Sequence, residues 1–315
     1  MLKYTVRLLI GMCITLYVIV SMTFFVIRLM PASIFDDPDL PYYTVRMLEE
    51  RLGLHEPLYV QYMYFVRNIL QGDWGASIVI RPRVPVFDVI GERIFITMVL
   101  NVASLFVSLP LGIIAGTWSA LKKDKLPDHI VSFMVILFIS VPSFVFASLM
   151  QFFFAGRLGM FPIIYDATAD SIGAIAHSLA LPVIALALGP IAVVSRYIRG
   201  ELIETMSSEF LLLARTKGLT HRQAIVRHAF RNSCVPLVNI IVPMFTGIMG
   251  GSLVIERIFA IPGMGGILIN SINAGDHTLT IAVLLMFSVI MLLTILIMDL
   301  CYGLVDPRIK MGGKK

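Results

Sequence analysis

Six apolar runs, each about as long as one bilayer crossing, constrain this chain more than any other feature. They fall at residues 8–29, 94–118, 130–155, 178–197, 234–255 and 279–300. A helix needs about 20 apolar residues to cross about 30 Å of hydrocarbon, and only helices and closed barrels satisfy their backbone there. Six such runs in 315 residues, with 58% apolar and 14% charged, predict an all-α polytopic membrane protein with about six transmembrane helices. The first run follows Lys3 and Arg7, as in a secretory leader. It exceeds the usual leader core of about 7–15 apolar residues and precedes no small-residue cleavage site, so it is expected to stay as an anchor.

Lysine and arginine set the orientation. Lys3 and Arg7, then Lys122, Lys123 and Lys125, then Arg196, Arg199, Arg215, Lys217, Arg222, Arg227 and Arg231, then Arg308, Lys310, Lys314 and Lys315 all fall on one side of a six-span chain. That side is expected to be cytoplasmic, together with both termini. The net charge of +5 therefore reads as membrane topology rather than as a nucleic-acid surface. The expected organisation is an anchor helix at 1–29, an extracytoplasmic subdomain at 30–93, a five-helix core at 94–304 and a tail at 305–315. Segment 200–233 projects from the core into the cytoplasm. Within the long loop, apolar residues recur at helical spacing after Pro57, a residue suited to a helix start, and Asp73-Trp74-Gly75 reads as a turn. Tyrosines on that helix fit an interfacial belt.

Several chemistries lack their residues. No acidic pair, histidine chain or lysine sits inside a span, so there is no relay of the kind ion-driven transporters use. No phosphate-binding Gly-x-x-x-x-Gly-Lys-[Ser/Thr] loop appears, so nucleotide is not expected on this chain. Cys13, Cys234 and Cys301 have no metal-ligand spacing, and the histidines are scattered. Catalysis, a resident cofactor and a metal are not expected. Gly112-x-x-x-Gly116 and Gly247-x-x-x-Gly251 allow close helix packing, with pathway lining or dimer contact as alternatives. Pro182, Pro190, Pro236 and Pro243 are expected to interrupt or bend the fourth and fifth spans, which become the candidates for carrying a movement.

The basic segment from Glu209 to Asn232 lies between those two spans and is too polar to cross. Leu211, Leu212 and Ala214 have helical spacing, and Gly218 falls where a helix ends with positive φ. Thr220 and Gln223 form a Thr-x-x-Gln capping box that starts a second helix at once. A helix–glycine–helix elbow on the cytoplasmic face suits a docking contact with another protein.

This segment resembles the coupling segment of bacterial ATP-binding-cassette importer permeases, in the version carried by dipeptide and oligopeptide permeases. The resemblance rests on Ala214-Arg215-Thr216-Lys217-Gly218-Leu219 and Arg227-His228-Ala229-Phe230-Arg231-Asn232. It extends to Leu52-Gly-Leu-His-Glu-Pro-Leu-Tyr-Val-Gln-Tyr62, Gln71-Gly-Asp-Trp-Gly75, Ser140-Val-Pro-Ser-Phe144, Glu256-Arg-Ile-Phe-Ala-Ile-Pro-Gly-Met-Gly265 and Asp306-Pro-Arg308. Leu212, Leu213 and Thr216 depart from the pattern and make one face of the elbow more apolar.

The resemblance implies a type I importer fold and a permease subunit for peptides. It also implies a second homologous permease making a heterodimeric pore, two cytoplasmic ATPase subunits that carry ATP and Mg, and an extracytoplasmic peptide-binding protein. The location implied is a bacterial cytoplasmic membrane. ATPase coupling then falls to Glu209, Ala214, Arg215, Lys217, Gly218, Leu219, Arg222 and Arg227. Gly218 makes the turn and Ala214 gives a close seat, while the charges dock, anchor topology or meet anionic lipid. A turn at Phe259, Pro262, Gly263 and Gly265 is either a contact for the binding protein or a simple re-entry into the sixth span. Nickel chelates, glutathione or oligosaccharides are alternative cargoes, and a stand-alone channel or secondary transporter is the alternative class.

Overall fold

Long apolar runs become long helices, and each ends where the sequence supplies a stop. The computed structural model describes residues 2–29, 55–234 and 237–305. Pro236, the motif Asp306-Pro-Arg308 and most of the 305–315 tail lie outside the described residues, as does 30–54 of the long loop. In chain order the helices are α1 (Leu2–Leu29), α2 (Leu58–Leu70), α3 (Val86–Leu121), α4 (Leu126–Ser140), α5 (Ser143–Met150), α6 (Ile172–Met206), α7 (Glu209–Thr216), α8 (His221–Ala224), α9 (Phe230–Cys234), α10 (Val238–Ile258), α11 (Met264–Asn273) and α12 (His277–Val305). Short π-helical stretches extend α5 through Gln151–Arg157 and join α8 to α9 through Ile225–Ala229. Among the described residues there is no strand beyond one isolated bridge, Ala76 to Pro85.

Among the described residues, four helices are long and apolar enough to cross a membrane, Val6–Leu29, Val86–Leu121, Ile172–Ser207 and His277–Ile297. A bent pair, Leu126–Ser140 with Ser143–Arg157, makes a fifth. The third expected run is therefore not one straight span, because its halves meet at 101°. Pro142, extended at ψ 142° and without an N–H, ends the helical ladder and opens the next helix from its N-cap. Helix α10, 21 residues long, occupies the place of the fifth expected run. Of the prolines expected to interrupt or bend spans, Pro182 and Pro190 lie inside α6 and Pro243 inside α10, so these three do not interrupt their helices. Packing against neighbours holds the helix where a proline removes one N–H. Helix α6 is the most enclosed span, with 67% of its apolar window buried against 17–28% for the other three single-helix spans.

The chain divides into two compact units, Met1–Phe95 with Gly263–Leu293, and Ile96–Pro262 with Thr294–Lys315. In the first, α2 packs along the end of α1. Phe65 stacks on Phe24 at 4.9 Å and Tyr62 on Phe25 at 5.2 Å, while the Tyr62 and Ser21 hydroxyls share a hydrogen bond. Residues 21, 24, 25 and 28 form one helical stripe, so α2 is bound to a span as well as carrying exposed tyrosines at Tyr59 and Tyr64. Pro57 stands at its N-cap, one position before the expected one.

The segment after α2 closes into a small loop. Gly72 and Gly75 have φ of 82° and 81°, and a Cβ on Gly75 would lie 2.8 Å from Thr278 Cγ2. Asp276, fully buried, fastens the tip of this loop. Its Oδ2 accepts from the Ser77 hydroxyl at 2.6 Å and from the backbone N–H groups of Ile78, Val79 and Ile80 at 3.0, 3.0 and 3.1 Å. Its Oδ1 accepts from Leu279 N at 3.2 Å, which caps α12.

In the second unit, α6 packs against α4, α5 and α10, over a core that includes Leu100, Ala147, Leu186 and Ile255. Gly112 and Gly116 bring α3 against the same helix. An added Cβ would lie 2.6 Å from Val194 Cβ at Gly112 and 2.5 Å from the Ser195 carbonyl at Gly116. Gly247 departs from the packing expectation: an added Cβ would meet nothing within 4 Å, because this face of α10 borders a cavity. The surroundings of Gly251 lie outside the described part.

Candidate functional site

The elbow forms as its residues dictate. Helix α7 ends at Thr216, and Gly218 takes φ +92°, a left-handed turn that β-branched residues resist. Thr220 Oγ1 accepts from Gln223 N at 3.3 Å while Gln223 Oε1 accepts from Thr220 N at 3.1 Å, the reciprocal pair of a capping box. One face of the elbow is locked into the chain's own core. Leu211 and Ala214 of α7 cluster with Ala224 and Ala229 against Leu202 of α6 and Ala120 of α3, with Leu219 packed on the edge. Ala214 therefore seats the elbow inwards, at 8% exposure. The reason is helical phase: 211 and 214 share the buried face, so 212 and 213 turn outwards. Leu212 and Leu213 are 62% and 54% exposed, with Glu209, Thr216, Lys217 and Gly218 exposed beside them. The side chains of Arg215, Arg222 and Arg227 lie outside the described part.

A half-buried ion pair holds the base of the elbow's supporting helix. Arg199 of α6 gives Nε to Asp128 Oδ1 at 2.6 Å and a terminal nitrogen to Oδ2 at 2.8 Å. The Ser119 hydroxyl and Asp124 N complete the shell of Asp128, which is 2% exposed. Charge counting assigned Arg199 to topology and missed Asp128; the only sequence signal was an acid in the first turn after Pro127. Asp128→Ala is expected to cost about 3 kcal/mol in thermal unfolding of the solubilised protein, whereas Asp128→Ala with Arg199→Leu costs much less. Equal losses in the two would refute this coupling.

The broken span borders an apolar cavity of about 600 Å³ in the same unit. Pro142 from the break, Pro190 of α6 and Pro243 of α10 line it, with Ser143, Gly189 and Gly247.

The turn after α10 differs from expectation. Gly263 is extended, at φ −100° and ψ −172°, and caps α11; the left-handed residue is Ala260, at φ 51°. Ile261 N donates to Glu256 O at 2.7 Å and Ala260 N to Arg257 O at 3.3 Å, which is a Schellman stop with alanine in the usual glycine position. Phe259, Gly263 and Gly265 are buried and Pro262 is half-buried, leaving Ala260 as the exposed residue of 259–265. The chain does not re-enter a span directly, since the ten-residue α11 follows. Tyr165 N, from the loop beside it, donates to Phe259 O at 2.7 Å, and Gln151 Nε2, from the π-helical extension of α5, donates to Ile258 O at 2.9 Å; together they fix the turn.

Long apolar helices, one of them sharply broken, and an enclosed α6 that leads into a polar elbow define a polytopic helical membrane protein. The chain belongs to the family of binding-protein-dependent transport system inner membrane components, whose model matches residues 108–311, while the model of the family's N-terminal region matches residues 1–101. Members are permease subunits of ATP-binding-cassette importers, with the ATPase activity on separate subunits. It is 37% identical over 311 residues to the dipeptide transport system permease protein DppB of Lactococcus lactis subsp. cremoris, covering 99% of this chain and 100% of that one. It is 32% identical to the oligopeptide transport system permease protein OppB of Haemophilus influenzae, with 98% and 100% covered. The glutathione transport system permease protein GsiC of Escherichia coli is 29% identical, with 98% and 99% covered. An inward-facing structure of the MetNI methionine ABC transporter superposes with a TM-score of 0.56 at 17% identity, over 69% of this chain and 96% of that one, and shares the fold.

Proposed function

We propose that this chain forms half of the pore of a peptide importer and receives the ATPase stroke through its elbow. A second, homologous permease completes the pore, and two cytoplasmic ATPase subunits carry ATP and Mg. An extracytoplasmic binding protein delivers the peptide, and both termini lie in the cytoplasm of a bacterial cell. The observation that carries the reading is the two-sided elbow: one face is fixed to α6 and α3, and the other presents Leu212 and Leu213. A short helix with an apolar outer face suits a groove on a partner. Glu209, Lys217 and the arginines at 215, 222 and 227 would rim that contact, and motion would pass through α6 to the proline-lined cavity. Peptide as cargo is supported by the dipeptide and oligopeptide permeases among the relatives. Glutathione, itself a peptide, is the second reading, supported by the 29% identical relative.

Gly218→Val is expected to reduce uptake to background while the chain stays in the membrane at normal levels. Positive φ costs a β-branched residue about 1–2 kcal/mol or more and redirects the elbow. Leu212→Asp with Leu213→Asp should have the same effect by a different route, releasing the ATPase subunits on purification. Uptake at wild-type rate in both would end the coupling assignment.

A further inference from the structure

The unit that contains α1, α2 and the start of α12 encloses a cavity of about 220 Å³ that the transport reading does not use. Its wall is apolar along Phe24, Ile281 and Leu285, and it carries Arg28 and Asp73 as its fixed charges. Arg28 is half-buried at the end of α1 and gives Nε to Gln61 Oε1 at 2.7 Å. No carboxylate among the described residues pairs with it. Asp73 uses Oδ1 for Gly75 N at 2.9 Å, and its other oxygen accepts no bond from a described residue. The cavity thus holds one cation and one anion, each with spare hydrogen-bonding capacity. A half-buried guanidinium with only a neutral partner is costly, and a phosphate beside it offsets that cost through charge-assisted bonds.

We propose that this cavity binds the head of a zwitterionic phospholipid, with the phosphate at Arg28, a primary ammonium at Asp73 and acyl chains along Phe24, Ile281 and Leu285. Two membrane-spanning helices frame the site, so bilayer lipid reaches it from the side. The Asp73 carboxylate disfavours a purely anionic head, and the Arg28 guanidinium disfavours a neutral diacylglycerol. The site is independent of the elbow and of the cargo.

Native mass spectrometry of the assembled transporter containing the full chain tests this, with equimolar phosphatidylethanolamine, phosphatidylglycerol and diacylglycerol of matched chains. The expected result is a phosphatidylethanolamine adduct that survives activation and falls at least ten-fold in Arg28→Gln. Gln61→Glu separates binding from structure: it gives Arg28 an internal counter-ion and keeps α1 tied to α2, yet should also expel the lipid. Unchanged adducts in Gln61→Glu, preference for phosphatidylglycerol or diacylglycerol, or equal binding of soluble phosphoethanolamine would each overturn the assignment.

Discussion

Asp276→Ala is expected to lower the unfolding free energy of the solubilised protein by about 3–5 kcal/mol, the range for a buried charged acceptor removed from its donors. The substitution strips the partner from one hydroxyl, three consecutive loop amides and the Leu279 amide in the first turn of α12. The loop's own carbonyls at Ser77, Arg81 and Val84 already accept from Arg83 N, Val84 N and Ser77 N, so they do not stand in for the lost carboxylate. Limited proteolysis should cut within 77–84 in the variant and spare the wild type. Ser77→Ala removes one of the five bonds and is expected to cost about 1 kcal/mol. Wild-type protease resistance in Asp276→Ala would show that the fastening is dispensable.

Gly116→Val is the second large effect, expected at about 3–5 kcal/mol or as failure to accumulate in the membrane. The added Cβ would meet the Ser195 carbonyl at 2.5 Å, and backbone cannot turn aside as a flexible side chain can. Ile198 Cβ at 3.0 Å closes the other direction. Gly247→Ala, one helix away, meets open space and is expected to leave folding intact, so the pair separates close packing from a general dislike of larger residues. Equal expression and thermal stability of Gly116→Val and wild type would refute the close approach of α3 and α6.

The elbow shows how much was legible. Gly218 and the Thr220–Gln223 box act over four residues or fewer, and the structure reproduces both, since local backbone preference decides them. Ala214 was legible as a small contact but not as an inward one. Which neighbour a helical face meets depends on α6 and α3, far away in sequence. The turn after α10 illustrates a different failure. Pro262 and Gly263 have the composition of a tight turn, yet the helix stop placed the left-handed residue three positions earlier, at Ala260. Glu256 O and Arg257 O needed donors at the end of α10, and that requirement outranked residue preference.

Sequence by itself determined the solvent of this protein, its helical class and the place of its elbow. Apolar length, the side that lysine and arginine favour, and short capping motifs are properties of the chain read a few residues at a time. Tertiary structure alone decided the bidentate grip of Arg199 on Asp128 across 71 residues and the capture of residues 77–80 by Asp276 across nearly 200. These are pairings of single polar groups with partners that no local pattern announces. They are fixed by the cost of burying a charge or an amide without one.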